Sequence, residues 1–570
     1  MTRTLLLHPE DDLYSGGLAH QHWDRIVDLG FAGLPAYERW SRDLHCPVEP
    51  LPRPGPREFE RLRELFSHGI GQMVDDRGLD WWEPLALGFY ENVLKIYCLE
   101  RFVSQRGGTE ELFVSREGFH SEILRRLTPG AMRTLNRKVS PTAALRRRVA
   151  QLWRLQPHQI LEILLDKYDG DYRLRGLSSR GKKPGKNPIV LLPTAYGNAS
   201  RTMLAYASSL SDLRFLLVAT RQSGWVENPP SNTQVEQLGS YAVKGNRREE
   251  LNRLLVSYQG LLHHFFHRPE FAILAETGAL DFVPRMLSTG LSIRDAWEQV
   301  FERESVLSVL CADEKNEFTR IPILLARQRG LPTIGCHHGA LDGRYLFTNF
   351  TADRFLVKGR MEWDYLVHNC RAPEEKIVIA APHRAPGIAL AEPRNIVFFS
   401  EPYEVFGYRV SEIYHDVLPV LARTAQSLEC SLTIKLHPFE SLRERVRLVR
   451  QAVPAELQSR IQVLAGALSE QLLQQAQFAV TVSSTAAVDC ALQGVPAFLC
   501  VWLENHGLRY AEQFVKFGAA RPLCRAEQIA EIPTMLKNVG KISSQDLWRR
   551  SESATLRELL TTTFAGCCSI

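Results

Sequence analysis

The sequence predicts an α/β protein built from two doubly wound domains of parallel strands. The first observation is that short apolar runs, such as Phe215–Ala219 and Ile396–Phe399, alternate with helical patterns. Continuous apolar runs of about four to six residues indicate strands that are buried on both faces, as in parallel sheets. The second is a Pro- and Ala-rich stretch at about 381–394, which we interpret as a linker between domains. The third is the length of 570 residues, which suits roughly two to four domains.

The predicted strands extend along the whole chain. In order, they are Leu5–Leu7, Glu111–Val114, Ile189–Leu192, Phe215–Ala219, Val306–Cys311, Thr333–Cys336, Arg354–Val357, Lys376–Ile379, Ile396–Phe399, Ser431–Leu436, Ile461–Leu464, Phe478–Val482 and Ala497–Cys500. Helical patterns between them predict right-handed crossovers, with helices on both faces of each sheet.

These elements divide into an N-terminal domain over 1–385 and a C-terminal domain over 390–545. We expect both to be Rossmann-like and to face each other across a cleft. The N-terminal domain carries a predicted helical insertion at about 30–180, and residues 546–570 form a predicted tail.

Composition excludes several classes of protein. Apolar residues make up 45% of the chain and charged residues 23%, which excludes wholesale disorder. No apolar stretch approaches the roughly 20 residues that a membrane-spanning helix needs. The net charge of +5 is too small for this length to indicate a nucleic-acid partner. The 11 scattered cysteines without a C-x-x-C spacing, and the short apolar run near the N-terminus, predict a cytoplasmic protein with free thiols.

A basic segment, Arg173–Lys186, contains six Lys or Arg residues together with Gly and Pro. It is either a solvated surface loop or a binding segment for an anionic substrate or membrane head groups. The second reading allows a peripheral contact with the inner face of a membrane.

Polar residues follow the predicted strands of the C-terminal domain, where open α/β sheets bind ligands. After Ser431–Leu436 come His437, Pro438 and Glu440, with Lys435 on the same strand face as His437. The imidazole of His437 can donate a hydrogen bond to a phosphate or sugar oxygen, or else bond a loop carbonyl as a structural group.

The strand Phe478–Val482 runs directly into a predicted helix that starts at Ser483 or Ser484. Ala486 and Ala487 leave the helix N-terminus uncrowded. Its N–H groups and the hydroxyls of Ser483, Ser484 and Thr485 can therefore bind a phosphate. Ordinary capping explains one serine, whereas two serines followed by small residues favour a phosphate site. Glu401 follows the strand Ile396–Phe399 and is a further candidate of the donor site.

Candidate bases follow two strands of the N-terminal domain. His337 and His338 precede Gly339 at one strand end, and a histidine titrates in the range that a general base needs at neutral pH. Spacing does not distinguish the base from a buried structural histidine. Glu10 and Asp11 follow the first strand, as either solvated loop carboxylates or catalytic groups.

The motif Lys435-Leu-His437-Pro438-Phe-Glu440, followed by Ser483-Ser484-Thr485, resembles the paired HP and SS motifs of GT-B glycosyltransferases of bacterial surface polysaccharides. These include capsule polysialyltransferases, Kdo-transferring capsule enzymes and CDP-glycerol glycerophosphotransferases. His337-His338-Gly339 is similar to a Q-H-G or E-H-G strand end of related capsule proteins.

The resemblance implies a nucleotide-activated donor whose phosphates contact His437, Ser483 and Ser484. It also implies a saccharide or lipid-linked acceptor, and no obligatory metal or other cofactor. Two alternatives stay open. A nucleotide-sugar epimerase of the same fold would use a carboxylate such as Glu440 or Asp489, and a non-catalytic scaffold for glycan assembly would turn over no donor.

Overall fold

The computed structural model describes residues 2–14, 17–106, 110–130, 132–135, 185–243, 245–265, 268–339, 341, 351–383, 394–503, 510–538 and 544–562. The basic segment up to residue 184, the larger part of the linker (384–393) and residues 136–184 of the predicted insertion lie outside them. Contacts divide the chain into two compact units. Unit 1 comprises Met1–Gly55, Lys95–Gln156 and Pro386–Ser544, and unit 2 comprises Pro56–Leu94, Pro157–Ala385 and Gln545–Ile570.

The first sheet has five parallel strands in the order β3-β2-β1-β4-β5. They are β1 (Thr2–Leu7), β2 (Arg25–Asp28), β3 (Val48–Pro50), β4 (Glu110–Val114) and β5 (Met132–Thr134). The helices of this part of the chain are α1 (Leu34–Leu44), α2 (Pro56–Ser67), α3 (Trp82–Ser104) and α4 (Phe119–Leu127).

The second sheet has seven parallel strands in the order β12-β11-β10-β9-β6-β7-β8. They are β6 (Gly185–Thr194), β7 (Phe215–Ala219), β8 (Thr233–Gln237), β9 (Glu304–Cys311), β10 (Thr333–Gly335), β11 (Arg354–Val357) and β12 (Ile377–Ile379). The helices are α5 (Gly197–Ser208), α6 (Arg248–Phe265), α7 (Pro269–Glu276), α8 (Val283–Arg303), α9 (Glu317–Gln328) and α10 (Arg360–Asp364).

The third sheet has six parallel strands in the order β15-β14-β13-β16-β17-β18. They are β13 (Asn395–Phe399), β14 (Ser431–Lys435), β15 (Ile461–Leu464), β16 (Ala476–Thr481), β17 (Ala497–Cys500) and β18 (Arg521–Leu523). The helices are α11 (Val410–Ser427), α12 (Leu442–Ala452), α13 (Glu470–Gln474), α14 (Ala486–Leu492), α15 (Tyr510–Lys516) and α16 (Ile532–Met535). Two further helices follow, α17 (Ser544–Leu547) and α18 (Ser553–Thr561), and α18 belongs to unit 2 and packs against the second sheet. None of the described helices is long and apolar enough to cross a membrane.

All three sheets are doubly wound, with the strand order reversing between β1 and β4, β6 and β9, and β13 and β16. Strands β7 and β13 are buried along their whole length, which is why their sequences are continuous apolar runs. The predicted fold class, α/β with doubly wound parallel sheets, is therefore confirmed, and every predicted run overlaps a strand.

The first sheet was not predicted from the sequence as a separate sheet. The segment predicted as a helical insertion at about 30–180 contains α1–α4 in its described part, but it also contributes β3, β4 and β5 to this sheet. Strands β3 and β5 have three residues each, too few for an apolar run to stand out. The first sheet also belongs to unit 1 together with the third sheet, whereas the predicted boundaries join it to the second.

Arg409, at the start of α11, connects the first and third sheets within unit 1. Its guanidinium donates to the buried carboxylate of Asp28 at 2.7 Å and to the carbonyls of His8, Pro9 and Asp11 at 2.6–2.9 Å. One apolar core runs through both sheets. This connection accounts for the grouping of the first sheet with the C-terminal part of the chain.

Asp416, on α11, gives this core a pH-dependent stability. Its side chain is 8% exposed and lies 3.8 Å from Arg39 of α1, and its Oδ2 has no hydrogen-bond partner among the described residues. Burial raises the pKa of Asp416 from 3.8 to about 7. Since the folded form holds a proton that the unfolded form has released, this group destabilises unit 1 as pH rises from about 4 to 7.

We expect Asp416→Asn to increase the free energy of unfolding at pH 8 by roughly 2 kcal/mol, about half of what the pKa difference gives for a fully enclosed group. The increase should grow between pH 5 and pH 7 and level off above it. Urea unfolding of both proteins across this range measures the difference, and a constant difference at every pH would contradict the assignment to this carboxyl group.

Candidate functional site

Glu401 joins the ends of β13 and β16 at the point where the third sheet reverses its strand order. The buried carboxylate accepts hydrogen bonds from the Ser483 N–H at 2.8 Å, the Ser483 hydroxyl at 2.8 Å and the Thr481 hydroxyl at 3.1 Å. Burial raises the pKa of Glu401 above its ordinary value. Glu401 therefore shapes the crevice in which a doubly wound sheet binds its ligand.

The three hydroxyl residues after β16 take different places. The Ser483 side chain is buried against Glu401, whereas Ser484 and Thr485 are half-buried. The Ser484 hydroxyl accepts a hydrogen bond from Ala486 N at 3.3 Å. Helix α14 begins at Ala486 with Thr485 as its N-cap, later than the predicted start at Ser483 or Ser484. Ser484 and Thr485 are thus better exposed to a ligand than Ser483 is.

His437 lies at the same edge of the third sheet. Phe399 of β13 pairs with both Lys435 and Thr481, so the residues that follow all three strands lie at one level. The Nδ1 of half-buried His437 accepts a hydrogen bond from Phe439 N at 3.3 Å. In the neutral imidazole the proton is therefore on Nε2, where it can be donated to a ligand oxygen.

Lys435 and Glu440 hold the turn around His437. The ammonium of Lys435 donates to the carbonyls of Leu436 and Gly466 at 2.8 and 2.6 Å. Glu440 accepts from Ser400 at 2.7 Å, His437 N at 2.7 Å and Arg445 at 2.6 Å, and burial raises its pKa. These contacts occupy both carboxylate oxygens, which fits a positioning residue better than the acid or base of an epimerase.

The two candidate histidines after β10 differ in their surroundings. His337 is 1% exposed, and its ring nitrogens contact Gly339 O at 2.8 Å and the Glu362 carboxylate at 2.9 Å. Glu362 also accepts from Lys358 N at 2.5 Å. Both nitrogens of His337 are therefore engaged in the protein interior, as in a structural histidine.

His338 is half-buried, at the point where the second sheet reverses its strand order. Its Nδ1 lies 2.9 Å from the carbonyl of Ala312, which follows β9, and must donate because a carbonyl only accepts. The Nε2 then accepts from the Tyr196 hydroxyl at 3.1 Å, at the end of β6. In this tautomer Nε2 presents its lone pair to a hydroxyl group, which is the geometry of a general base.

Tyr196 is a site residue that the sequence analysis missed. It ends the segment Pro193–Tyr196 after the predicted strand Ile189–Leu192, and it is the N-cap of α5. A polar aromatic residue between a strand and a helix is a usable signal, but only the fold shows that it meets His338.

Glu10 and Asp11 lie after β1 in the first sheet and belong to unit 1, whereas His337 and His338 belong to unit 2. Arg116 donates to Glu10 at 2.5 Å and also pairs with the buried Asp11. Burial and the charge of Arg116 lower the pKa of the neighbouring His8. The structure thus places the predicted bases in two different sheets. The described residues contain no group of three or more His, Cys, Asp or Glu side chains suited to a metal ion.

No protein-family model matches the chain, and no curated protein matches it. Among solved structures, it is similar to the UDP-GlcNAc 2-epimerase from Methanocaldococcus jannaschii, with 9% identity, 66% of this chain and 99% of that chain covered, and a TM-score of 0.39. The UDP-GlcNAc 2-epimerase from Neisseria meningitidis bound to UDP-GlcNAc is 11% identical, with 65% of this chain and 99% of that chain covered and a TM-score of 0.40. Acinetobacter baumannii MurG is 14% identical to this chain, with 66% of this chain and 94% of that chain covered and a TM-score of 0.33.

Likenesses of this size identify neither a family nor an activity. The fold class therefore rests on the parallel, doubly wound sheets of this chain itself.

Proposed function

We propose that the protein is a nucleotide-sugar-dependent transferase of surface-polysaccharide synthesis. It moves a sugar, or a glycerol-phosphate-type unit, from an activated nucleotide donor to a saccharide or lipid-linked acceptor. The observation that carries the proposal is the tautomer of His338 at a ligand-binding edge, where the Ala312 carbonyl holds the proton on Nδ1 and Nε2 accepts from the Tyr196 hydroxyl. The motif resemblance at His437 and Ser484 supports the nucleotide donor.

In the sugar-transfer form of the reaction, the acceptor hydroxyl replaces the Tyr196 hydroxyl at His338 Nε2, and Nε2 takes its proton. The acceptor oxygen then bonds to the anomeric carbon, and the bond between that carbon and the donor phosphate oxygen breaks. The departing nucleotide carries the negative charge. We assign its phosphates to the third sheet, where the Nε2–H of His437 and the Ser484 hydroxyl can donate to them.

This mechanism uses side chains of the protein alone, and we expect no obligatory metal. The described cysteines are free thiols, which favours a reducing compartment. We therefore propose that the protein acts in the cytoplasm, at the inner face of the membrane if its acceptor is lipid-linked.

Thermal melting with CMP, CDP, UDP, GDP and ADP tests the donor site. A nucleotide at about 100 times its Kd should stabilise the protein by roughly 2.7 kcal/mol. We expect one base to raise the Tm of the wild type, and His437→Ala and Ser484→Ala to reduce that shift. His415→Ala, an exposed histidine on α11, is the matched control. Absence of any nucleotide effect on the wild type would refute the donor site and favour a non-catalytic scaffold.

A further inference from the structure

Three exposed apolar side chains of unit 1 lie on segments that meet at the start of α12. Val405 and Phe439 are each 67% exposed, and Leu442 is 41% exposed. Val405 comes after β13, Phe439 comes after β14, and Leu442 is the first residue of α12. A group of large apolar side chains in solvent marks a surface that contacts another molecule or a membrane.

Arg445, in the second turn of α12, holds these segments side by side. Its guanidinium donates to the Glu404 carboxylate at 2.6 and 2.7 Å and to the Glu440 carboxylate at 2.6 Å. Glu404 precedes Val405, and Glu440 follows Phe439. The side chains of Arg445 and Glu440 are only 4% and 0% exposed, so these contacts are buried. The three apolar residues therefore belong to one part of the surface, called the apolar cluster below.

The solvent side of α12 carries three exposed arginines, Arg443, Arg447 and Arg450, called the arginine face below. Their i, i+4, i+7 spacing places them on one side of the helix, opposite the buried Val449 and Ala452. Within the part of the chain that the structure describes, none of the three side chains forms an ion pair or a hydrogen bond. The arginine face therefore keeps its charge toward the solvent.

This arrangement opposes the stability of the helix, because like charges three or four residues apart on a helix repel each other. The nearby carboxylates of Glu404 and Glu440 bind Arg445 instead. Glu444 is half-buried next to the arginine face and is the one carboxylate on α12 itself. A helix that keeps three like charges together suits an anionic partner.

We propose that the apolar cluster and the arginine face together bind the surface of an anionic lipid bilayer. The apolar cluster enters the boundary between head groups and acyl chains, and the arginines bind lipid phosphates. A soluble polyanion would contact the arginines alone and leave the apolar cluster in water, which is why the bilayer is favoured. The Phe439 ring lies 5.0 Å from the His437 ring, so the bilayer reaches the edge of the proposed donor site. This surface does not depend on the proposed reaction.

Sedimentation of the full chain with vesicles of phosphatidylglycerol and phosphatidylcholine in equal parts tests the surface. We expect saturable binding, weakened by salt, and at least tenfold weaker binding to phosphatidylcholine alone. Replacing Arg443, Arg447 and Arg450 together by glutamine should weaken binding about 100-fold, since each basic residue near an anionic surface contributes roughly fivefold. Phe439→Ser should weaken it about tenfold through lost apolar burial.

The matched control replaces Arg57, Arg248 and Arg303, three exposed arginines of unit 2, by glutamine. It removes the same charge as the variant of the arginine face and should bind vesicles within about twofold of the wild type, because separated surface charges are screened by salt. His437→Ala should also bind vesicles like the wild type, so failure of the donor site and failure of this surface are measured independently.

Equal binding to both kinds of vesicle, or equal losses in the two arginine variants, would refute the surface. Vesicle binding that the variant of the arginine face retains would place the membrane contact elsewhere, such as in the basic segment Arg173–Lys186. Binding of dextran sulfate through the arginine face without binding of vesicles means a polyanionic glycan and overturns the proposal. A wild-type dimer that Phe439→Ser dissociates also overturns it, because the apolar cluster is then an interface between two copies.

Discussion

Replacing Arg294 by alanine is expected to lower the free energy of unfolding by about 3–5 kcal/mol, the cost of leaving buried charges without their partner. The Arg294 side chain, on α8, is 0% exposed. Its guanidinium donates to Asp75 at 2.6 Å, to Glu250 at 2.5 and 3.0 Å, and to Asp295 at 2.6 Å. The Asp75 side chain is also 0% exposed, so water cannot replace the lost hydrogen bonds.

Arg253→Ala is the matched control for Arg294→Ala. Arg253 pairs with Asp76, the neighbour of Asp75, but the two side chains are 56% and 59% exposed. Losing an exposed pair should cost only about 0.2–1 kcal/mol. Urea unfolding monitored on the transition of unit 2 distinguishes the two variants. Similar losses for both would show that burial of the Arg294 cluster does not determine its contribution.

His338→Gln is expected to lower kcat by about 10²- to 10⁴-fold, the usual contribution of a general base. A glutamine side chain cannot take the proton of the acceptor hydroxyl at neutral pH. Nucleotide binding should be unchanged, because the proposed donor contacts belong to the third sheet. Transfer of labelled sugar from the identified donor to acceptor measures kcat.

His263→Gln, which changes an exposed histidine of unit 2, should retain activity within about twofold, as expected of a surface substitution. Tyr196→Phe should lower kcat less than His338→Gln, because the Ala312 carbonyl still holds the imidazole in its tautomer. If His338→Gln kept full kcat, the base would have to lie elsewhere, and Asp11 of the first sheet would be the next residue to substitute.

The sequence alone determined the fold class and the locations of the central strands. Runs such as Phe215–Ala219 and Ile396–Phe399 are apolar throughout because a parallel strand between two layers of helices is buried on both faces. This signal is local, so it can be read without knowing which strands are neighbours. The same reasoning placed polar residues at strand ends, including His338, His437 and Ser484.

Only the tertiary structure decided which of those polar residues are accessible. Lys435 and His337 form their hydrogen bonds in the protein interior. Glu401 connects two strand ends by binding Ser483, which lies 82 residues further along the chain. A strand-end position does not tell which neighbour the side chain will meet.

The first sheet and the Arg294 cluster likewise depended on the tertiary structure. Strands β3 and β5 are three residues long and take their conformation from pairing with β2 and β4 rather than from a pattern of their own. Arg294 meets Asp75 across 219 positions of sequence. Such pairings depend on how the chain is brought together in three dimensions, whereas periodicity reports only whether a residue is buried.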